Sequence, residues 1–169
     1  GYVHARMGDD AASLTSFERA REHYERLGVE GTPFLAWIDH DRAIALCSLG
    51  RFDASIAACQ RAIEGLADTG QTVEVARARQ TLAVTYFVLG RYNEALREFD
   101  QARDCFLADS RERDALLADL LRCDCLLELR RFGDVLMNCD EIRRTFAQLG
   151  ASSDLAQVIV DQAVASAGL

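Results

Sequence analysis

A motif of fifteen residues occurs three times in this chain, at intervals of 40 residues. The copies start at Leu49, Leu89 and Leu129 and align without a gap. A fainter copy begins at Met7, 42 residues before the first of these. A fixed interval of this length is the signature of a repeat architecture, in which each unit completes its hydrophobic core by stacking on the next. The sequence therefore predicts an array of similar units rather than one closed core.

Each unit has the pattern of two helices joined by a tight turn. The first helix ends at a leucine followed by Gly50, Gly90 or Arg130, and an aromatic residue comes two positions later. The second helix carries small or medium-sized residues in steps of four, three and four, which place them on one face. These residues are Ser55, Cys59, Ala62 and Leu66; Ala95, Phe99, Ala102 and Phe106; and Val135, Cys139, Ile142 and Phe146. The matching inner faces of the first helices are Ala43, Leu46 and Leu49; Ala83, Tyr86 and Leu89; and Cys123, Leu126 and Leu129.

Several residues are suited to begin a helix. Thr32 is a good cap before Pro33, which fits the first turn of a helix. Ser110 and Ser153 are candidate caps for later helices, since their hydroxyls can accept bonds from free N–H groups. We also predict a lone terminal helix around 152–166.

The second copy closely resembles a tetratricopeptide repeat. Its pattern is Leu82-Ala83-x-x-Tyr86-x-x-Leu89-Gly90-x-Tyr92-x-x-Ala95-x-x-x-Phe99-x-x-Ala102. The resemblance implies an all-α fold, a right-handed α-solenoid of TPR-like helical hairpins, over nearly the whole chain. The units exceed the usual 34 residues. This long variety is similar to the repeats of large bacterial multidomain proteins, such as caspase-like CHAT-domain proteins and ATPase-linked transcription regulators.

We predict a single TPR-like array over residues 1–169, as a fragment of a longer protein, because the sequence starts without Met inside half a repeat. Its predicted parts are a half-repeat with a helix over 1–29, repeats over 30–70, 71–110 and 111–150, and a terminal helix over 151–169.

The charge and hydropathy of the chain narrow the classes of partner. Its net charge of −8, from 19 basic and 27 acidic residues, has the wrong sign for a nucleic-acid surface. All the basic residues are arginine, which excludes lysine-dependent chemistry. No apolar run approaches the roughly 20 residues that span a bilayer, and no leader peptide opens the sequence. We therefore expect a cytoplasmic protein with neither a nucleic-acid nor a membrane partner.

Six cysteines raise the possibilities of disulfides, a metal site or a nucleophile. A helical chain of this length does not need disulfides, so we expect reduced thiols, with Cys59, Cys123 and Cys139 filling the core. Cys123 and Cys125 point about 200° apart on a helix and cannot chelate one ion. A structural zinc site needs four ligands, and the three histidines are widely scattered. We predict neither a metal site nor a cofactor.

A Cys–His pair beside carboxylates is the most plausible catalytic arrangement. His40 and Cys47 lie on one helix face, with Asp39 and Asp41 next to the histidine. Two helical turns separate the pair by about 10 Å, too far for direct proton transfer. No glycine-rich or strand–turn–helix element supplies an oxyanion site. We therefore predict no catalytic residue.

A second row on the first helices points away from the hairpin core at 100° per residue. In the tetratricopeptide family this row lines the concave groove that binds peptides. The family's lysine and asparagine clamp for a terminal carboxylate has no match here, and Arg77 is the one cation in the row. We predict a partner-binding surface formed by Trp37, His40, Ile44, Arg77, Gln80, Val84, Phe87, Leu117, Leu120 and Asp124. Cys47 and Leu127 share the row.

The leading functional hypothesis is a non-catalytic scaffold that binds a protein segment or a neighbouring domain on its concave face. Two alternatives are the regulatory portion of a larger enzyme, such as a CHAT protease, and the sensor region of a transcription regulator. A third reading is that the apolar row packs only on adjacent repeats or on the remainder of the chain.

Overall fold

The computed structural model describes residues 9–28, 33–149 and 155–168, apart from the side chains of 147–149 and 155–158. Over this part the chain forms eight α-helices and no strand. They are α1 (Asp10–Arg26), α2 (Pro33–Ser48), α3 (Phe52–Leu66), α4 (Thr72–Val88), α5 (Tyr92–Ala108), α6 (Glu112–Glu128), α7 (Phe132–Leu149) and α8 (Leu155–Gly168). The predicted caps Thr32 and Ser153, and the first eight residues of the predicted half-repeat, lie outside the described residues.

The helices form an all-α right-handed solenoid, as the resemblance implied. Three hairpins, α2–α3, α4–α5 and α6–α7, follow one another, with α1 before them and α8 after them. Each helix packs chiefly on its neighbours in the chain. The first helices α2 and α4 also contact each other, as do α6 and α8. Side chains on successive first helices therefore share one surface.

The turns that end these helices have a common geometry. At the end of α2, the Arg51 N–H donates to the Leu46 carbonyl at 2.8 Å and the Gly50 N–H donates to the Cys47 carbonyl at 3.0 Å. The same pair of bonds closes α4, α5 and α6. This arrangement needs a left-handed residue just after the helix, and Gly50 has φ = 73°.

One predicted helix cap is wrong. Ser110 does not cap α6, because it occupies the left-handed turn position with φ = 57°. The residue that precedes α6 is Arg111, whose side chain makes no capping bond. Pro33, in contrast, is the first residue of α2, as predicted.

The predicted inner face of the second helices is the core of the solenoid. All twelve residues assigned to it are buried. On the first helices, Ala43, Ala83 and Cys123 are fully buried as predicted. Leu49 and Leu89 are exposed, however, because each lies just beyond its helix in the turn. Their assignment to the inner face is wrong.

Candidate functional site

A groove of about 360 Å³ lies between the first helices α2 and α4. Its lining is the central part of the predicted row together with two further residues, Ser48 and Thr81. The lining residues are His40, Ile44, Cys47, Ser48, Arg77, Gln80, Thr81 and Val84. The two helices contact each other along this side of the array.

The floor of the groove is apolar. Ile44 is 44% exposed and Val84 is half-buried. These residues occupy equivalent repeat positions, 40 residues apart, on the two helices. When a partner covers a solvent-exposed aliphatic side chain, binding is favoured by about 25 cal/mol per Å² of apolar surface buried. The floor can therefore take an apolar side chain from a ligand.

A hydrogen bond crosses the groove from one repeat to the next. The Thr81 hydroxyl donates to the Arg77 carbonyl at 3.1 Å, so its oxygen is free to accept from His40 Nε2, also at 3.1 Å. Burial lowers the pKa of His40 despite the nearby carboxylates of Asp41 and Glu74. The imidazole is therefore neutral at neutral pH and holds α2 against α4 as a donor through Nε2.

Arg77 places a positive charge at the edge of the groove. Its guanidinium is exposed and contacts Glu74, one turn earlier, at 3.3 Å. An exposed pair of this kind contributes little to stability. The guanidinium can consequently exchange Glu74 for an acidic group on a ligand at little free-energy cost.

Aromatic rings extend the row beyond one end of the groove. Trp37, one turn before His40, is 40% exposed and meets the ring of Phe34 edge to face at 5.2 Å. The Phe34 ring in turn stacks on Tyr24 at 6.1 Å. Partly exposed aromatic rings held by one another are suited to act as rigid anchors for a partner.

The remaining predicted residues lie outside this groove. Phe87, at the end of α4, is half-buried against Tyr92, with 5.6 Å between the ring centres. Leu117, Leu120 and Asp124 lie half-buried on α6. Phe87 and Leu120 also pack against the hydrophobic core. The expectation that the hairpin core does not use them is therefore wrong.

The comparisons with known proteins agree with this geometry. The sequence profile of the tetratricopeptide repeat matches residues 34–108, which include α2 to α5 and the groove. Residues 34–108 belong to the tetratricopeptide-repeat family. No curated protein matches the sequence.

Solved structures extend the likeness to nearly the whole chain. A protein from Podosopora anserina, described as a kinesin light chain with nearly identical TPR-like repeats, matches with a TM-score of 0.78. The match covers 99% of this chain and 85% of that one, at 12% identity. A variant of the same protein gives the same values. At this identity the likeness concerns the fold alone, and repeats of this kind are typically non-catalytic.

The 40-residue register extends the predicted row to two residues that the sequence prediction omitted. Val160 and Val164 on α8 lie 40 residues after Leu120 and Asp124, and both are about half exposed. They continue the predicted row into a fourth unit. The 40-residue interval alone could have located them. Ser48 and Thr81 gave no such signal, because their positions in the groove depend on how α2 and α4 stack.

Four of the six thiols are buried in the core: Cys59, Cys123, Cys125 and Cys139. All six are free, and burial raises the pKa of Cys59 and of Cys125 to about 12. His40 bonds to Thr81 rather than to Cys47, although both line the groove. Within 9–28, 33–149 and 155–168, no cluster of His, Cys, Asp and Glu is placed to hold a metal ion.

Asp124 is the one carboxyl group among the ten residues of the predicted row. Burial raises its pKa from 3.8 to about 6, with smaller contributions from the neighbouring charges of Asp161 and Glu128. With a pKa of about 6, this carboxyl group is still mainly ionised at neutral pH. In the part of the chain that the structure describes, no helix is long and apolar enough to cross a bilayer.

Proposed function

We propose that this repeat array is a non-catalytic interaction module that binds a protein segment along its concave row. The observation that supports this proposal is the groove between α2 and α4, where exposed Ile44 lies close to the exposed charge of Arg77. An apolar floor with a few polar groups at its edge is typical of the centre of a protein interface.

The groove also indicates the chemistry of the segment. Ile44 and Val84 would contact apolar side chains, and Trp37 would add an aromatic anchor at one end. Arg77 would pair with an acidic group, and the amide of Gln80 would form hydrogen bonds at the edge. These requirements fit an amphipathic helix with one apolar face and an acidic residue at its border.

The proposed setting is a cytoplasmic scaffold without a nucleic-acid or membrane partner, for which the net charge of −8 is the supporting observation. In a longer protein the same groove would take up a neighbouring domain, as in the regulatory portion of a CHAT protease or the sensor region of a transcription regulator.

Selection from a random peptide library, followed by titration calorimetry, tests the groove directly. Peptides selected on the native chain should bind Ile44→Glu more weakly by about 2 kcal/mol, because the charge enters the apolar floor. Met137→Glu is the matched control, since Met137 lies on α7 outside the row and is 67% exposed. Phe87→Ala is less informative, because it also removes core contacts.

The proposal fails if the selected peptides bind Ile44→Glu and the native chain equally well. It also fails if none of the selected peptides binds in the groove. A charge reversal, Arg77→Glu, should further shift the selected sequences from acidic to basic residues at the position that contacts it.

A further inference from the structure

A second cavity, of about 410 Å³, lies in the middle of the array between α5 and α6. Leu96 of α5 and Leu126 of α6 form its inner wall, since both line the cavity and are buried. Asn93 and Arg97 are exposed at its rim, and Arg122 lines it from α6. The volume lies within the range of roughly 300–1,000 Å³ that is usual for small-molecule sites.

The equivalent junction between α3 and α4 is filled differently. Tyr86 of α4 lies at the repeat position of Leu126, and the Arg91 guanidinium covers its ring at 4.4 Å from the ring centre. Arg131 is the counterpart of Arg91, but Leu126 supplies no ring for it to cover, and Arg131 lines the cavity instead. Leucine in place of tyrosine therefore leaves space at the α5–α6 junction.

The positive charge around the cavity is also specific to this junction. Arg97 and Arg122 lie at the repeat positions that Ala57 and Leu82 occupy in the unit before. The cavity lining contains three arginines and one carboxylate, that of Asp100. In a chain with a net charge of −8, a local excess of positive charge indicates an anionic ligand.

Arg122 has hydrogen-bond donors left for such a ligand. Its Nε lies 2.7 Å from Asp100 Oδ1, and its Nη1 lies 4.0 Å from Asp119 Oδ1. A guanidinium carries five N–H donors, so the Nη2 group remains available. The side chain is 27% exposed, and partial removal from water strengthens its attraction for an anion.

Arg97 is the residue best placed to bind the charged group. Within residues 9–28, 33–149 and 155–168 its guanidinium forms no ion pair. It acts electrostatically on Glu94, but Glu94 is already paired with Arg91. A guanidinium without a carboxylate partner can bind two oxygens of a carboxylate or phosphate group through parallel N–H bonds.

We propose that the cavity between α5 and α6 binds a small organic anion. Arg97 and Arg122 hold its phosphate or carboxylate group, the Asn93 amide adds a hydrogen bond, and Leu96 and Leu126 contact its apolar part. The cavity shares no lining residue with the concave groove, so this site is separate from the proposed peptide site.

Phenyl phosphate and phenylacetate are suitable probes, because each joins one of the two anionic groups to an apolar ring. Each is titrated at constant ionic strength into the intact 169-residue chain, and the backbone amide signals are followed by NMR spectroscopy. Saturable shifts should appear at Asn93 and Arg97, and the probe that binds more tightly identifies the anionic group.

Arg97→Ala should weaken this binding by about tenfold, because it removes a charge-assisted contact. The variant should fold normally, since Arg97 is exposed and Ala57 occupies the same repeat position. Arg19→Ala is the matched control, because Arg19 is an exposed arginine on α1 outside the cavity. It should leave the affinity unchanged.

The proposal is overturned if neither probe gives saturable shifts at the cavity, or if Arg97→Ala binds the probes as tightly as the native chain. Inorganic phosphate that binds as tightly as phenyl phosphate would overturn the contact with Leu96 and Leu126, and with it the organic ligand. Ile44→Glu, which tests the concave groove, should leave binding of both probes unchanged, so the two proposals fail independently.

Discussion

Ser110 and Arg130 adopt a backbone conformation that glycine supplies at the equivalent turns. Their φ angles are 57° and 56°, against 73° for both Gly50 and Gly90. The left-handed region places Cβ too close to the following carbonyl oxygen and costs roughly 1–2 kcal/mol for most residues. Two of the turns that join these helices are therefore strained, although their hydrogen bonds are the same as at the glycine turns.

Ser110→Gly should raise the free energy of unfolding by about 1 kcal/mol, because it removes this backbone strain. Urea denaturation should show a higher midpoint with an unchanged slope. Gly90→Ser is the reverse control. A Cβ at Gly90 meets no atom within 4 Å, so the expected loss of stability comes from the backbone alone. Equal midpoints for all three proteins would contradict the argument.

Asp124 makes the stability of the array depend on pH. Its folded-state pKa of about 6 lies above the ordinary 3.8, so the folded chain binds the proton more tightly than the unfolded chain does. This contribution to stability is present below about pH 4 and is lost as the pH rises through about 6. Asp124→Asn should therefore stabilise the protein at neutral pH and flatten the profile between these values.

Urea denaturation at a series of pH values checks this prediction. The difference in unfolding free energy between Asp124→Asn and the native chain should grow as the pH rises from about 4 to about 7. Parallel profiles for the two proteins would show that the carboxyl group is not perturbed.

At the scale of the helices, a buried carboxylate joins three of them. Asp39 on α2 is 2% exposed and pairs with Arg21 of α1. It also pairs with Arg42 at 2.7 Å and with Arg61 of α3 at 3.2 Å. This cluster connects the first hairpin to the helix before it, where the repeat pattern of the sequence is faint.

Asp39→Ala should cost about 3 kcal/mol of stability, because it leaves partly buried arginines without their shared partner. Asp134→Ala is the control, since Asp134 forms an exposed pair with Arg131 at the start of α7. This control substitution should lower the free energy of unfolding by at most about 1 kcal/mol. Calorimetric melting of both variants distinguishes the buried Asp39 cluster from the exposed Asp134–Arg131 pair. Similar losses of stability in the two variants would contradict the expected contribution of the buried cluster.

For the whole molecule, the contacts are mainly between helices that are neighbours in the chain. An array of this kind gains stability from each unit and each interface between units. Deleting 111–169 removes α6 to α8 and leaves α1 to α5 with their mutual contacts.

The truncated chain should stay helical by circular dichroism and should unfold at a lower temperature and urea concentration than the full array. Complete loss of helix would contradict nearest-neighbour stability. An unchanged melting temperature would show that the last three helices do not couple to the rest.

The sequence by itself determined the helices, their buried faces and the repeat. Steps of four, three and four predict a buried stripe because the helix period places such residues on one face, whatever lies opposite. Ala95, Phe99 and their counterparts are buried for this reason. Five of the ten residues of the predicted row share one groove: His40, Ile44, Arg77, Gln80 and Val84.

Only the tertiary structure decided which residues of different repeats meet. The bond between His40 and Thr81, and the packing of Phe87 on Tyr92, depend on how neighbouring helices are spaced and rotated. Periodicity within one helix does not contain that information. Ala163 shows the same limit, because its small side chain matches buried Ala83 in the register and yet is exposed. Burial at that position requires a second helix opposite it, and the described part of the chain provides one for α2, α4 and α6 but not for α8.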